Sequence, residues 1–322
     1  MIITVTLNAA IDKTLAVPNF QLGRRHRSTE QRTMAGGKGV NVARALKLLG
    51  QPVIATGLAG GATGTRIIEE LTQEAILCDF VRINQESRTS TAVIDPTSGI
   101  QTEINEPGPE VSEAEMSLFL EKLTYLAKGA DICIFAGSHP RGVDDTVYAG
   151  LIGELKRQGV TTVIDTEGAP MDLAMRAGPD LVSPNEREAE ELVGHEFRDR
   201  EDHIFGLYEI CDLGPREAII THEEGCYALV GRDHERHLFE VRTERLEPVS
   251  PIGAGDCFLA GYLSARYSGR AYPDALRFAV ACGAESTHHL GAGVLDPRAA
   301  ERLQHEVDVI ELEEPAAVDA RA

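Results

Sequence analysis

Several common signatures are missing from this chain, and each absence narrows what it can be. No G-x-G-x-x-G run occurs, so the usual dinucleotide fingerprint is excluded. The Gly-rich stretch Gly36-Gly37-Lys38-Gly39 has Gly39 where a Walker A loop needs Ser or Thr. Six cysteines (78, 133, 211, 226, 257 and 282) form no C-x-x-C pair and have no histidine partners at zinc spacing. Most lie in apolar runs and read as buried free thiols of a reducing compartment. No apolar run approaches the length of a membrane span, and Met1-Ile2-Ile3-Thr4-Val5 lacks the basic start of a signal peptide. Basic residues are in the minority, and only six of the 31 are lysines. The net charge of −20 argues against generic binding to nucleic acid or acidic membranes. An anionic substrate would need local positive charge against that field. A cytoplasmic enzyme acting on small molecules is the expectation.

What is present centres on Ser250-Pro251-Ile252-Gly253-Ala254-Gly255-Asp256-Cys257-Phe258-Leu259. After Asp256 the apolar spacing turns helical, with Phe258, Leu259, Tyr262 and Leu263 on one face. Gly253 and Gly255 let the backbone fold tightly into that helix. The first N–H groups of a helix lack internal partners and carry partial positive charge, a combination that binds phosphate. Asp256 in the first turn is placed to take a proton from a hydroxyl held beside it. An anion site next to a carboxylate points to phosphoryl transfer to an alcohol. A plain turn and helix cap would leave the same residues.

The length of 322 residues permits one large α/β domain or two smaller ones. Ile2 to Leu7 reads as a buried strand, and Asp12 follows in a loop at its carboxyl end, where α/β sheets bind ligands. Thr14–Val17, Thr29–Thr33, Ser90–Asp95 and Ile100–Asn105 have no helices between the members of each pair. They assemble into a small β-lid, with Arg24, Arg25 and Arg27 in its first connection. Gly36 opens a helix through Leu49, with Asn41 one turn on. From Pro52 strands and helices alternate, and Ser112-Glu113-Ala114-Glu115 is a capping box. The apolar strand Asp131 to Ala136 suits a parallel sheet covered on both faces. A strand ending at Ser183 leads into Asn185 and Glu188, three apart on one helix face: hard oxygen ligands of a kind that suits Mg²⁺, or, on the residues alone, the cap of an acidic helix. Glu217–His222, Gly225–Val230 and Arg236–Val241 read as strands. The acidic segment from Glu306 to Ala322 reads as a fraying tail. The pattern predicts a doubly wound, mostly parallel sheet with a small β-lid.

Two of these stretches carry a resemblance. Gly253-Ala254-Gly255-Asp256 resembles the C-terminal signature of the PfkB (ribokinase-like) carbohydrate kinases. Gly36-Gly37-Lys38-Gly39-Val40-Asn41-Val42-Ala43 resembles their N-terminal one. The resemblance runs from Thr6 to about Leu295. It implies one kinase domain over residues 1–310, with the lid built from about 13–34 and 88–106, and an acidic tail over 311–322. It also implies Asp256 as catalytic base and Gly253, Ala254 and Gly255 around the ATP phosphates. Asp12, Gly36, Gly37, Lys38, Asn41 and Arg88 would bind substrate. Asn185, Glu188, Thr221 and Gly225 fall to the Mg-ATP region, with Glu188 reaching Mg²⁺ through water.

Thr102-Glu103-Ile104-Asn105-Glu106-Pro107-Gly108-Pro109 resembles the hexose-phosphate branch, which includes 1-phosphofructokinase and tagatose-6-phosphate kinase. The implied acceptor is therefore a phosphorylated ketohexose, fructose 1-phosphate first. Arg88, Lys38 and one of Arg24, Arg25 or Arg27 would hold its phosphate. A 6-phosphofructokinase, a ribose or nucleoside kinase and a silent sugar-phosphate sensor are the alternatives. Four residues depart from the family pattern: Pro251, Glu223, Arg187 and His139. Pro251 stands where relatives carry Ser or Thr, in a neighbourhood that helps a monovalent cation in ribokinase-like members, so the departure argues against potassium activation here. A lid with one exposed face predicts a homodimer joined through it.

Overall fold

The computed structural model describes residues 1–232, 235–244 and 249–313. Strand β1 (Ile2–Thr6) is followed by β2 (Ala10–Ala16), β3 (Glu30–Gly36) and helix α1 (Lys38–Leu48). Next come β4 (Val53–Gly60), α2 (Gly61–Gln73), β5 (Leu77–Ile83), β6 (Arg88–Ile94) and β7 (Gln101–Asn105). The alternation continues with α3 (Glu113–Ala127), β8 (Ile132–Ala136), α4 (Val147–Arg157), β9 (Thr161–Asp165), α5 (Ala169–Arg176) and β10 (Leu181–Val182). Helices α6 (Glu186–Val193) and α7 (Arg200–Asp212) lead to β11 (Glu217–His222), β12 (Gly225–Arg232) and β13 (Glu235–Arg242). The chain closes with α8 (Ala254–Tyr267), α9 (Tyr272–Ser286), α10 (Pro297–Leu303) and β14 (Asp308–Leu312).

Ten strands form one sheet in the order β14-β13-β12-β11-β10-β9-β8-β1-β4-β5. The run from β11 to β5 is parallel, and β12, β13 and β14 add on antiparallel. Helices cover both faces, so the parallel strands can be apolar throughout, and every residue of β1 and β8 is buried. Ile2 and Ile134 join the core shared with α1, α8 and α9, while Ile3, Val5 and Phe135 join the core under α3, α4 and α7. The strand order turns back between β1 and β8. A crevice opens at such a switch point, outside the carboxyl ends of the strands.

The second sheet, ordered β3-β2-β6-β7, stands over that crevice as a lid. Its central pair, β2 and β6, is parallel, with the large sheet's β4 and β5 intervening in the chain. Asp12 lies inside β2, paired with Met34 and Ser90, not in a loop. The extended run read over Thr14–Val17 thus begins earlier, at Ala10, because the one acid among Ile11, Thr14 and Leu15 breaks the apolar pattern. Helix α7 also went unread because charges interrupt its apolar face, although Asp199 caps it through Glu201 N (2.9 Å) and Asp202 N (3.1 Å). The expected fraying from Glu306 onward is corrected by β14, which pairs with β13 from Asp308↔Arg242 to Leu312↔Leu238. Val309 and Leu312 pack against the cores and outweigh the acidic composition. A domain limit at 310 would cut that strand, and residues 314–322 of the expected tail lie outside the described residues.

The capping box at α3 forms as its spacing predicts. Glu115 accepts from Ser112 N at 2.9 Å and also from Asn84 N at 2.7 Å, tying the helix start to the end of β5. Glu115→Ala should therefore lower unfolding stability by about 1–2 kcal/mol, the loss of a cap and of a buried acceptor. Denaturant melts of the two proteins measure this; equal midpoints would show that the box contributes nothing.

Candidate active site

The crevice holds a cleft of about 700 Å³, floored by the ends of β1, β8, β9, β10 and β11 and roofed by the lid. At one wall Gly253 precedes α8 with φ 77°, in the left-handed region. A side chain there would meet Ala292, with its Cβ 2.7 Å from the Ala292 Cα, so only glycine lets the two loops approach. Gly255 has open space around its missing side chain and borders the cleft together with Asp256. The first-turn N–H groups of α8 thus face a space sized for a ligand.

Asp256 is 6% exposed, and its Oδ2 accepts from Asn41 Nδ2 at 2.9 Å. Burial pushes its carboxyl up to about 7, with the Asp165 charge adding to the rise and Lys38 and the Asn41 bond opposing it. A carboxylate tuned to that range can take a proton near neutral pH. Lys38, at the start of α1, puts Nζ 2.8 Å from Asp165 and 3.4 Å from Glu188. Burial alone would depress this ammonium, but the two carboxylates overturn that and raise its pKa. Glu188 is pushed up by burial, which the Lys38 charge only partly offsets. Glu188 and Asn185 also cap α6 reciprocally, Glu188 N to Asn185 Oδ1 at 2.9 Å and Asn185 N to Glu188 Oε2 at 3.0 Å.

Across the cleft, Asp12 accepts from Gly37 N at 3.3 Å. Its carboxyl is raised by burial, against the pull of that N–H, Arg88 and Arg44. Arg88, at the root of β6, donates from Nε to Asn8 O and from Nη1 to Glu106 O, both at 3.1 Å. Burial lowers its pKa. One half of the cleft therefore carries a buried acid and a fixed guanidinium. The other carries an anion-binding helix start, a cation between two carboxylates and a carboxylate poised to accept a proton. That arrangement can hold an alcohol in line with a phosphate and remove its proton.

A model of the pfkB family carbohydrate kinases matches residues 5–298. The chain belongs to that family. It is thus a phosphotransferase with an alcohol acceptor and ATP as co-substrate. Tagatose-6-phosphate kinase of Staphylococcus epidermidis is 29% identical over 316 residues, 97% of this chain and 100% of its own. 1-Phosphofructokinase of Borreliella burgdorferi is 32% identical over 284 residues, 88% of this chain and 90% of its own. The solved structure of a possible 1-phosphofructokinase from Thermotoga maritima aligns with a TM-score of 0.86 at 25% identity, over 97% of this chain and 100% of that one.

Most of the residues expected at a PfkB site meet in the one cleft: Asp12, Gly37, Lys38, Asn41, Arg88, Asn185, Glu188, Thr221, Gly253, Gly255 and Asp256 line it. Gly36, Ala254 and Gly225 do not. Gly36 makes room for Asp12, whose Oδ2 would lie 1.9 Å from an added Cβ. Gly225 pairs with His222 and Arg242, where an added Cβ would strike Val241 O at 1.9 Å, so its need is strand packing. Arg24, Arg25 and Arg27 are exposed in the β2–β3 connection and outside the cleft. Lys38 does not stand free beside Arg88 as a second phosphate anchor, because two carboxylates already hold its charge. Pro251 and Arg187 border the cleft, whereas His139 turns to Asp145 at 2.8 Å. Asp165 escaped the sequence reading, although a carboxylate closing an apolar strand is the same signal that picked out Asp12.

The raised carboxyl of Asp256 has a consequence for stability. A group that titrates higher folded than unfolded contributes full stability below its ordinary value, 3.8, and loses it as pH rises through about 7. Asp256→Asn, which keeps an oxygen for Asn41, should raise the melting temperature of the ligand-free kinase by several degrees at pH 8 and hardly at all at pH 4. A variant that melts lower than the parent at pH 8 would contradict the buried-charge account.

Proposed function

We propose that this kinase transfers the γ-phosphoryl group of ATP to a hydroxyl of a phosphorylated ketohexose, with fructose 1-phosphate as acceptor and fructose 1,6-bisphosphate as product. The observation that carries the proposal is Asp256, buried beside the free N–H groups of α8 and raised to about 7. The acceptor hydroxyl would lie between Asp256 and Asp12, with Asn41 and Gly37 fixing those two carboxylates. As the hydroxyl attacks, its proton passes to an Asp256 Oδ, and the α8 N–H groups take up charge on the γ-phosphate. Positioning and electrostatics supply most of the rate in such transfers. Below pH about 7 the protonated Asp256 can no longer accept, so kcat/KM should fall on the acid side.

Arg88 supports a phosphorylated acceptor. Its guanidinium is half-buried and pinned by two carbonyls, and it meets the cleft opposite the nucleotide half. Asp165 and Glu188 fit Mg²⁺: both present hard oxygens, and they already share one cation, Lys38 Nζ. Among the described residues no three potential ligands cluster, which suits an ion that keeps its waters and leans on substrate phosphates. When bound with the triphosphate, Mg²⁺ supplies charge neutralisation there. The 1-phosphofructokinase relative favours fructose 1-phosphate, and the tagatose-6-phosphate kinase relative makes tagatose 6-phosphate the second acceptor to try.

One assay series tests this. Wild type should turn over fructose 1-phosphate with Mg-ATP faster than fructose 6-phosphate, tagatose 6-phosphate, ribose or adenosine. Asp256→Asn should lose roughly a thousandfold or more in kcat. Arg88→Ala should raise the acceptor KM by roughly ten- to several-hundredfold, the size of a lost charge-assisted contact, at steady KM for ATP. Preference for an unphosphorylated acceptor, or a KM effect on ATP instead, overturns the placement.

The lid also supports a homodimer, joined through its outer surface in the cytoplasm. Ile104 is 64% exposed on the strand face turned away from Asp12, and Leu22 and Ile100 are 90% and 65% exposed at the lid's turns. Light scattering at assay concentration should give twice the chain mass, and Ile104→Glu should return it to the monomer value. A wild-type monomer refutes the arrangement.

A further inference from the structure

Arg44 lies in α1, one turn beyond Asn41, and does not line the cleft. It is 5% exposed, and each of its five N–H donors has an acceptor. Nε and Nη2 grip Glu74 of α2 in a fork, at 2.6 Å to Oε2 and 3.2 Å to Oε1. Nη2 also reaches Ala35 O at 2.6 Å, at the root of the lid. Nη1 reaches Ala292 O on the loop against Gly253, and Asn41 Oδ1, both at 3.4 Å.

The contact with Asn41 has a chemical consequence. A guanidinium has no acceptor atom, whereas an amide presents an acceptor on one side and a donor on the other. With Arg44 on one side, Oδ1 must face the guanidinium, which leaves Nδ2 to donate to Asp256 at 2.9 Å. The opposite rotamer would set N–H against N–H and oxygen against the carboxylate, two mismatches away from water. Glu74 fixes the plane of the guanidinium by its two-point grip.

We propose that Arg44, oriented by Glu74, is a positioning residue for phosphoryl transfer. It sets the orientation of the Asn41 amide and, through it, the Asp256 carboxylate. By holding the carbonyls of Ala35 and Ala292 it keeps the lid root and the facing loop in register with that carboxylate. The inference rests on Asp256 acting as the base.

A double-mutant cycle with Asn41→Ala tests it. Arg44→Lys keeps the charge but offers a single ammonium in place of the fork. In the otherwise wild-type enzyme it should lower kcat by about ten- to a hundredfold, the scale of a small misplacement of a reacting group, and leave the KM for ATP within about twofold. In the Asn41→Ala background the same change should cost less than about threefold, since the amide it orients is gone. If Arg44→Lys leaves kcat unchanged, or repeats its full loss without Asn41, the proposal fails. Should Arg44→Lys not melt cooperatively, Glu74→Gln takes its place in the cycle. It weakens the grip on the guanidinium at a part-exposed carboxylate, and its kcat loss should likewise vanish without Asn41. Asp256→Asn is measured alongside. Retained turnover there removes the base itself, whereas an inactive Asp256→Asn beside an unimpaired Arg44→Lys removes only the role of the arginine.

Discussion

Burial lifts the Asp256 carboxyl to about 7, and the groups around the cleft act on that one charge with opposite signs. Asp165 and Asp12 push it further up, while Lys38 and the amide of Asn41 pull it down. Water would flatten all four effects by screening, so the tuning depends on the lid, the loop at Ala292 and the start of α8 keeping the carboxylate dry. The same desolvation works against the fold above neutral pH. Stability is given up at that one carboxyl because its charged form is held away from water.

Topology supplies the dry crevice. The strand order reverses between β1 and β8, and the loops leaving the parallel strands splay apart at that point. Into the gap the chain sends the starts of α1 and α8 and the root of the lid, each admitted by a glycine. Gly253 clears Ala292, Gly36 clears the Asp12 carboxylate, and Gly37 adopts φ 96° to begin α1. The three elements then share side-chain contacts: Asp12 with Gly37, Asn41 with Asp256, and Arg44 with Ala35 and Ala292. The lid root, α1, α8 and the loop at Ala292 are thereby one hydrogen-bonded unit.

The cleft is lined by more carboxyl side chains than basic ones, so its charge has the same sign as the net charge of −20. Lys38 is one of only six lysines and stands between two carboxylates, and Arg88 is anchored to carbonyls, not to acids. The Arg88 guanidinium donates to carbonyls, and the charges of Asp12, Glu106 and Glu167 act on it only through space. An ammonium bracketed by acids has little left over for a second phosphate. Lys38 and Arg88 are therefore not equivalent, although each is a single cation in an acidic chain.

The chain alone determined the parts that depend on local pattern. The alternation of apolar strands with amphipathic helices, the capping boxes at Ser112 and Asn185, and the turn before Asp256 all follow from neighbours within a few residues. So does the PfkB resemblance, which rests on two short signatures. Whatever depends on residues distant in sequence was decided by the tertiary structure. Asp165 meets Lys38 across 127 positions, and Asp256 meets Asn41 across 215. No local pattern encodes such pairs, because their charges are balanced only after the sheet has brought the strand ends together. The same holds for β14, whose acidic sequence favours solvent until the open edge of β13 offers it hydrogen bonds and the cores offer apolar neighbours to Val309 and Leu312. It holds equally for Lys38, whose part-exposed ammonium is bracketed by Asp165 and Glu188 only once the fold has brought them together.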